Sequence, residues 1–263
     1  MLAKYIISQK KICFFFNFFL YYLHMKIPYE TKLLITGAPR SGTYFTTRIL
    51  FNLGLDIKHE KKDVHGTVSS LHVVNPTGFT KIAHQIREPL KTICSLHKID
   101  WLGKELWLDQ KDDENFSGHF DVNLAAKKIG EVSKLRESGW RHFLGKIKDR
   151  NLTRKCMKAY LEWNKLAMEV SEFTYKLEDV LKSKESFDSW LDSLNLIPEE
   201  HDYERTIKFV NSVDVSNTDL SKGGAFGSVA GITVAPDLSW EILENLDSKL
   251  CDEIKDLTGS FYS

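Results

Sequence analysis

The sequence has no excess of charge of either sign. Thirty-six Lys and Arg residues balance thirty-six Asp and Glu residues over 263 positions, so the formal net charge at pH 7 is zero. A protein that binds nucleic acid usually carries a basic surface, and the balance therefore argues against a nucleic-acid partner. Any anion that this chain binds must be held by a few local groups.

Cysteine is also scarce. The four cysteines stand at positions 13, 94, 156 and 251, and none of their spacings is that of a zinc site or a redox motif. We therefore predict reduced structural thiols and a cytoplasmic location. The remaining composition, with 42% hydrophobic and 27% charged residues, is typical of a globular protein that buries a sizeable core.

A long hydrophobic run is missing too. Residues 12–23, ICFFFNFFLYYL, are apolar apart from Asn17. As a helix they would reach only about 18 Å, against about 30 Å for the hydrocarbon layer of a membrane. Two interpretations stay open: residues 1–24 are a leader or a mis-called start ahead of Met25, or they form a short anchor that gives membrane association. Residues 25–263 are expected to form a single domain.

Short apolar runs and helical periodicities alternate along the rest of the chain. We predict strands at residues 32–36, 55–58, 81–86 and 173–177, and helices at 43–53, 90–96, 121–148, 152–170, 178–181, 185–194 and 238–261. Residues 211–237 hold four of the fifteen glycines and predict a long loop. This alternation favours a three-layer, P-loop-type α/β domain with a central parallel sheet flanked by helices.

The stretch GAPRSGT follows the first predicted strand and opens onto the first predicted helix. Gly37 and Gly42 allow close approach of a ligand to backbone N–H groups at a helix N-terminus, which is a site for phosphate oxygens. A nucleoside triphosphatase has lysine after the second glycine, but this chain has Thr43 there, and Arg40 is the only cation of the loop. Such a loop suits a nucleotide with a shorter 5′ chain.

GAPRSGT after a strand resembles the 5′-phosphosulfate loop of sulfotransferases that use 3′-phosphoadenosine 5′-phosphosulfate (PAPS). A second element, HQIREPLKTICSL at residues 84–96, is similar to the strand and helix that carry an arginine and a serine in that family. The resemblance implies that Arg87 and Ser95 bind the 3′-phosphate, whereas the C-terminal motif of the family is matched only by SKGG, with Lys222 and Gly223. It assigns the rest of the cofactor site to Gly37, Pro39, Arg40, Ser41, Gly42, Thr43 and Tyr44.

The implied reaction is transfer of a sulfuryl group from PAPS to an acceptor hydroxyl or amine, without a metal. Arg40 is placed to stabilise the charge that develops on the bridging oxygen as the bond to the phosphate breaks. The acceptor must lose a proton to a base within hydrogen-bond reach. Its identity stays open among carbohydrates, lipids, peptides and small molecules.

Glu60 and His59, at the end of the second predicted strand, are the candidate bases. Because adjacent residues of an extended segment point to opposite sides, we expect only one of them to face the acceptor, and we favour Glu60. His65 is a reserve candidate. His84 lies in an apolar run and is predicted to be a hydrogen-bonded core residue, and the polar cluster around Glu60 has an alternative as a solvated strand end.

Two other functions fit the same motifs. A small-molecule or nucleotide kinase shares the strand, loop and helix but requires magnesium and a triphosphate, and the missing lysine counts against it. A relative that binds the nucleotide without turning it over is the second alternative, because a fold and a cradle do not by themselves establish chemistry.

Overall fold

The protein is described by a computed structural model over residues 32–98, 147, 149–212 and 237–262. Within these ranges the strands are β1 Leu33–Thr36, β2 Ile57–His59, β3 Gly66–Val68, β4 Lys81–Ile86 and β5 Phe173–Lys176. They form one sheet in the order β2-β3-β1-β4-β5, and every neighbouring pair is parallel. Central β1, LLIT, is buried at all four positions, as an apolar strand covered on both faces should be.

Helices cover both faces of this sheet. The described helices are α1 Thr43–Asn52, α2 Pro89–Lys98, α3 Leu152–Val170, α4 Lys184–Ser193, α5 Asp202–Ser212 and α6 Trp240–Tyr262. One hydrophobic cluster joins α2, α3 and α6, with Tyr160 and Trp163 fully buried in it. A second joins α1, α4 and α5 to the other face, with Phe187 at its centre. The predicted three-layer α/β fold with a parallel central sheet is confirmed.

The carboxyl ends of all five strands lie at the same edge of the sheet. From β1 the chain reaches β2 and β3 on one side and then β4 and β5 on the other. The direction of winding therefore reverses beside β1, and ligands of open α/β sheets bind at such a reversal. The stretch Gly37–Gly42, which we call the glycine loop, leaves β1 at this point.

Two elements are absent from the sequence-based prediction. One is β3, which follows β2 after only six residues, whereas parallel neighbours are normally joined by a dozen or more. The other is α5, in a stretch for which we predicted nothing. The second predicted strand, 55–58, is also displaced, since β2 is Ile57–His59.

The last helix is interrupted, contrary to the continuous helix predicted for residues 238–261. Asp247 has extended dihedral angles, φ −162° and ψ 89°, inside α6. Its carboxylate accepts a hydrogen bond from the backbone N–H of Leu250 at 3.1 Å and so caps the second segment. A polar residue that competes for backbone N–H groups thus divides one amphipathic pattern into two helical pieces.

Several predictions lie outside the described residues. These are the segment 1–24, almost all of the predicted helix 121–148, and most of the predicted loop 211–237. Of the helices within the described ranges, none has both the length and the apolar composition that crossing a membrane requires. Among the described residues, Cys94, Cys156 and Cys251 form no disulfide, and Cys13 belongs to the part that is not described.

Candidate functional site

The glycine loop depends on its two glycines for different reasons. A side chain at Gly37 would overlap the backbone oxygen of Gln85 on β4, so the loop could not pass this close to the sheet. Gly42 has φ 91°, in the left-handed region that favours glycine, and immediately precedes α1. Because Gly42 has no side chain, it cannot cap the first-turn N–H groups of α1, which stay directed at the carboxyl edge of the sheet.

The buried side-chain amide of Gln85 is hydrogen-bonded to the backbone of this loop. The Gln85 side chain is completely buried, and its Nε2 donates to the backbone oxygen of Ser41 at 2.7 Å. Its Oε1 accepts hydrogen bonds from the hydroxyls of Thr46 and Tyr175. Sequence analysis gave Gln85 no role, although a polar residue in the apolar strand KIAHQI was a signal that a buried hydrogen-bond partner exists.

Arg40, Arg87 and Ser95 are brought together from three elements. Nε of Arg40 donates to Oγ of Ser95 on α2 at 2.9 Å. Arg87, directly after β4, donates from a terminal guanidinium nitrogen to the backbone oxygen of Arg40 at 3.0 Å. Tyr160 of α3 in turn donates its hydroxyl to the backbone oxygen of Arg87 at 2.9 Å. Arg40 of the glycine loop and the predicted 3′-phosphate ligands, Arg87 and Ser95, therefore form one hydrogen-bonded group. The sequence analysis had assigned them to two separate binding sites.

This group concentrates positive charge in a partly buried place. Burial lowers the pKa of Arg40, and the neighbouring Arg87 guanidinium lowers it further. Among the described residues, neither Glu60 nor Glu88 forms an ion pair with Arg87, because each carboxylate accepts backbone hydrogen bonds elsewhere. Two adjacent guanidinium groups with no described carboxylate between them favour the binding of an anion.

His59 lies beside the start of α1. Its Nε2 is 2.9 Å from Oγ1 of Thr43, the first residue of that helix, and its ring meets the Tyr44 ring edge-on with centroids 5.7 Å apart. Burial lowers the pKa of His59; the carboxylate of Glu60 opposes this effect, and Arg40 adds to it. The imidazole is thereby kept neutral near pH 7, the form that can accept a proton.

Glu60 is held in place by the turn that follows β3. Its carboxylate accepts hydrogen bonds from both hydroxyls of Ser69 and Ser70 and from the backbone N–H groups of Ser70 and Leu71. Glu60 also has φ 56°, so the alternation expected for an extended strand does not hold. As a result its Oε1 approaches Nε2 of His59 to 3.7 Å. The expectation that these two side chains point apart is wrong.

His65 and His84 do not join this group. His65 precedes β3 at the opposite edge of the sheet, where its backbone oxygen pairs with Leu33, so the reserve candidate is distant from the glycine loop. His84 is buried and hydrogen-bonded to Asn164 and Thr174, which confirms the prediction of a core residue, and burial lowers its pKa to about 4. Over the described ranges, no three His, Cys, Asp or Glu side chains are grouped as metal ligands would be.

Lys222 and Gly223 lie outside the described residues. No family model and no curated protein matches the chain. The candidate site is therefore defined by geometry: a helix start without a side-chain cap, the Arg87 guanidinium bonded to the Arg40 backbone, the Arg40 guanidinium bonded to Ser95, and a neutral imidazole. This arrangement can bind a phosphate-like group and accept a proton beside it.

Proposed function

We propose that this chain is a sulfotransferase that moves a sulfuryl group from PAPS to a hydroxyl or amine of an acceptor. The observation that carries the proposal is the junction of Arg40, Arg87 and Ser95 beside the start of α1. These residues belong to the two motifs that resemble PAPS-dependent sulfotransferases. Two motifs separated by more than forty positions converge on one place, which favours a shared ligand.

The glycine loop would hold the 5′-phosphosulfate. The first-turn N–H groups of α1 and the dipole of the helix favour an anion at this end, and the Arg40 guanidinium adds a permanent charge. Thr43 stands where a triphosphatase has its lysine, which favours a donor without a γ-phosphate. When bound, PAPS would supply the activated sulfuryl group, and Arg40 would stabilise the charge left on the departing phosphate oxygen.

The 3′-phosphate is assigned to Arg87 and Ser95. A charged guanidinium and a hydroxyl can each donate to the same phosphate, and bonds to a charged acceptor are stronger than neutral ones. Ser95 already accepts from Arg40, so binding would require this hydroxyl to turn its own hydrogen toward the phosphate. Lys222 and Gly223 remain additional predicted contacts.

His59 and Glu60 both remain candidates for the base, and the contacts favour His59. A neutral imidazole has one unprotonated ring nitrogen that can accept a proton, and burial supports that protonation state. The four donors from residues 69–71 already occupy both carboxylate oxygens of Glu60, so these oxygens are less accessible to an acceptor hydroxyl or amine. In this arrangement Glu60 would orient His59.

Binding experiments separate this function from its two alternatives. Calorimetry should show that 3′-phosphoadenosine 5′-phosphate, the desulfated cofactor, binds in the absence of metal. ATP with magnesium should bind only weakly. The opposite preference would support a kinase and end the proposal. A transfer screen with radiolabelled PAPS and a panel of alcohols, sugars and amines then distinguishes an enzyme from a binder, since a protein that only binds transfers no label. The cytoplasmic location remains a prediction from the cysteines.

A further inference from the structure

The amide of Gln85 has one orientation that satisfies all of its neighbours. The backbone oxygen of Ser41 can only accept, so the nitrogen end of the amide must face it, at 2.7 Å. The oxygen end then faces the Thr46 and Tyr175 hydroxyls, which both donate to it. Burial raises the pKa of the Tyr175 hydroxyl and keeps it protonated as a donor. Three elements, α1, β4 and β5, thereby fix the direction of one side chain.

This side chain determines how one peptide plane of the glycine loop is oriented. The peptide between Ser41 and Gly42 is trans, so its carbonyl and its N–H point in opposite directions. Because the Ser41 carbonyl points into the core toward Gln85, the N–H of Gly42 must point the opposite way, out of the core at the start of α1. Without such a partner, a glycine peptide could rotate with little steric cost.

We propose that Gln85 is a positioning residue that directs the N–H of Gly42 at the bound anion, and that Thr46 and Tyr175 hold Gln85 in the orientation this requires. The inference rests on the proposed function, because it takes the glycine loop to be the site of the 5′-phosphosulfate. It adds to that function a buried determinant of affinity, which touches neither nucleotide nor acceptor.

The test uses conservative variants with matched controls. Gln85→Met keeps the length of the side chain but cannot donate to Ser41, and Tyr175→Phe and Thr46→Val each remove one donor to Gln85. Tyr203→Phe and Thr67→Val are the controls, since their hydroxyls donate to the backbone oxygens of Leu181 and Lys58, away from the loop. Each variant is measured for thermal stability, for affinity toward 3′-phosphoadenosine 5′-phosphate, and for the backbone amide resonance of Gly42 in ¹⁵N-glycine-labelled protein.

We expect Gln85→Met to weaken nucleotide binding about tenfold or more, because the Gly42 N–H is no longer held toward the anion and its hydrogen bond to that charged group is lost. Tyr175→Phe and Thr46→Val should weaken nucleotide binding about threefold. The controls should lose stability without losing affinity. The Gly42 resonance should move in Gln85→Met and stay in place in Thr67→Val. Unchanged affinity together with an unmoved Gly42 resonance in Gln85→Met overturns the inference.

Failure of the proposed function would look different. If the unmodified protein does not bind the nucleotide, the proposed function fails, and the Gly42 resonance alone then decides whether Gln85 orients the peptide. If Gln85→Met does not fold, the comparison of Tyr175→Phe with Tyr203→Phe decides in its place. Equal nucleotide affinity and an equal chemical shift of the Gly42 amide in those two variants would refute the role of the buried amide.

Discussion

Two ten-residue helices begin at the carboxyl edge of the sheet from neighbouring strands, and their first turns differ in one respect. At the start of α2, the Glu88 carboxylate accepts hydrogen bonds from the backbone N–H groups of Leu90 and Lys91, at 3.0 and 2.6 Å. Pro89 at the first position has no N–H to satisfy. At the start of α1, Gly42 provides no side chain at all.

The difference distinguishes a helix start that is capped by its own chain from an open one, which is the proposed anion site. Both helices present positive partial charge at this edge, but α2 is neutralised by its own carboxylate, whereas no described carboxylate caps α1 and the loop before it carries Arg40 beside Arg87. Arg87 connects the two, because it follows β4 and donates to the backbone of the glycine loop. An anion that reaches this edge is therefore attracted to α1 and repelled by Glu88 at α2.

The largest effect is expected from Arg40→Ala. This variant removes the only side-chain cation of the glycine loop, and preorganised charge of this kind typically accounts for about a thousandfold in rate. Transfer from PAPS should fall by about that factor, while the melting temperature changes little, because among the described residues the Arg40 side chain makes a single hydrogen bond, to the hydroxyl of Ser95. A variant with near-normal turnover would show that the open helix start binds the anion without needing Arg40.

His59 and Glu60 provide the next test, because only His59 contacts the open helix start through a side chain. His59→Ala should reduce turnover at saturating PAPS by about a hundredfold, as expected for loss of a general base. Glu60→Gln should instead lower the free energy of unfolding by about 2 kcal/mol, because an amide cannot accept from all four donors, and most of the turnover should remain. Full turnover in either variant removes that residue as the base.

The pH dependence follows from the same assignment. The base must be unprotonated, and burial lowers the pKa of His59 below its ordinary value of 6.5. Turnover at saturating PAPS should therefore fall as the pH is lowered and the imidazole takes up a proton, with the midpoint of the fall below pH 6.5. A midpoint above pH 6.5 would identify a different group as the base.

Arg87→Ala should have a smaller effect, on affinity more than on rate. Loss of a charge-assisted bond to the 3′-phosphate should weaken binding of 3′-phosphoadenosine 5′-phosphate about thirtyfold. Arg87→Ala should weaken binding of adenosine 5′-phosphate, which has a 3′-hydroxyl, only about threefold. This smaller loss is expected because the variant removes the hydrogen bond that Arg87 donates to the Arg40 backbone oxygen. Calorimetry with both nucleotides measures the ratio, and equal losses would refute the assignment of Arg87 to the 3′-phosphate.

The sequence allowed the fold to be predicted where periodicity was strong, and the site where glycine and arginine had fixed spacing. The helix 152–170 and the strand 81–86 were predicted at their observed bounds. β3 was missed because three residues, GTV, carry too little pattern and the connection from β2 is too short for a typical parallel pair.

Parts of the site could not be predicted because they depend on tertiary contacts. The approach of His59 to Glu60 results from a left-handed residue after β2, which no local pattern required. The bond between Arg40 and Ser95 joins residues 55 positions apart, and the support of the loop by Gln85 depends on which strand is its neighbour. Sequence identified the charged residues but not the hydrogen bonds that orient them.

The smallest effect is expected where helix starts are already capped. Glu88→Ala should cost about 1 kcal/mol of unfolding free energy, and so should Asn151→Ala, since the Asn151 side chain accepts from the Arg154 N–H at the start of α3. Neither variant should weaken nucleotide binding, and Glu88→Ala should strengthen it slightly at low salt, because a negative charge is lost from the residue next to Arg87. Denaturant unfolding and calorimetry at two salt concentrations measure both quantities. If Glu88→Ala weakened nucleotide binding as much as Arg87→Ala, the start of α2 would belong to the binding site, and the contrast between an open and a closed helix start would no longer explain where the anion binds.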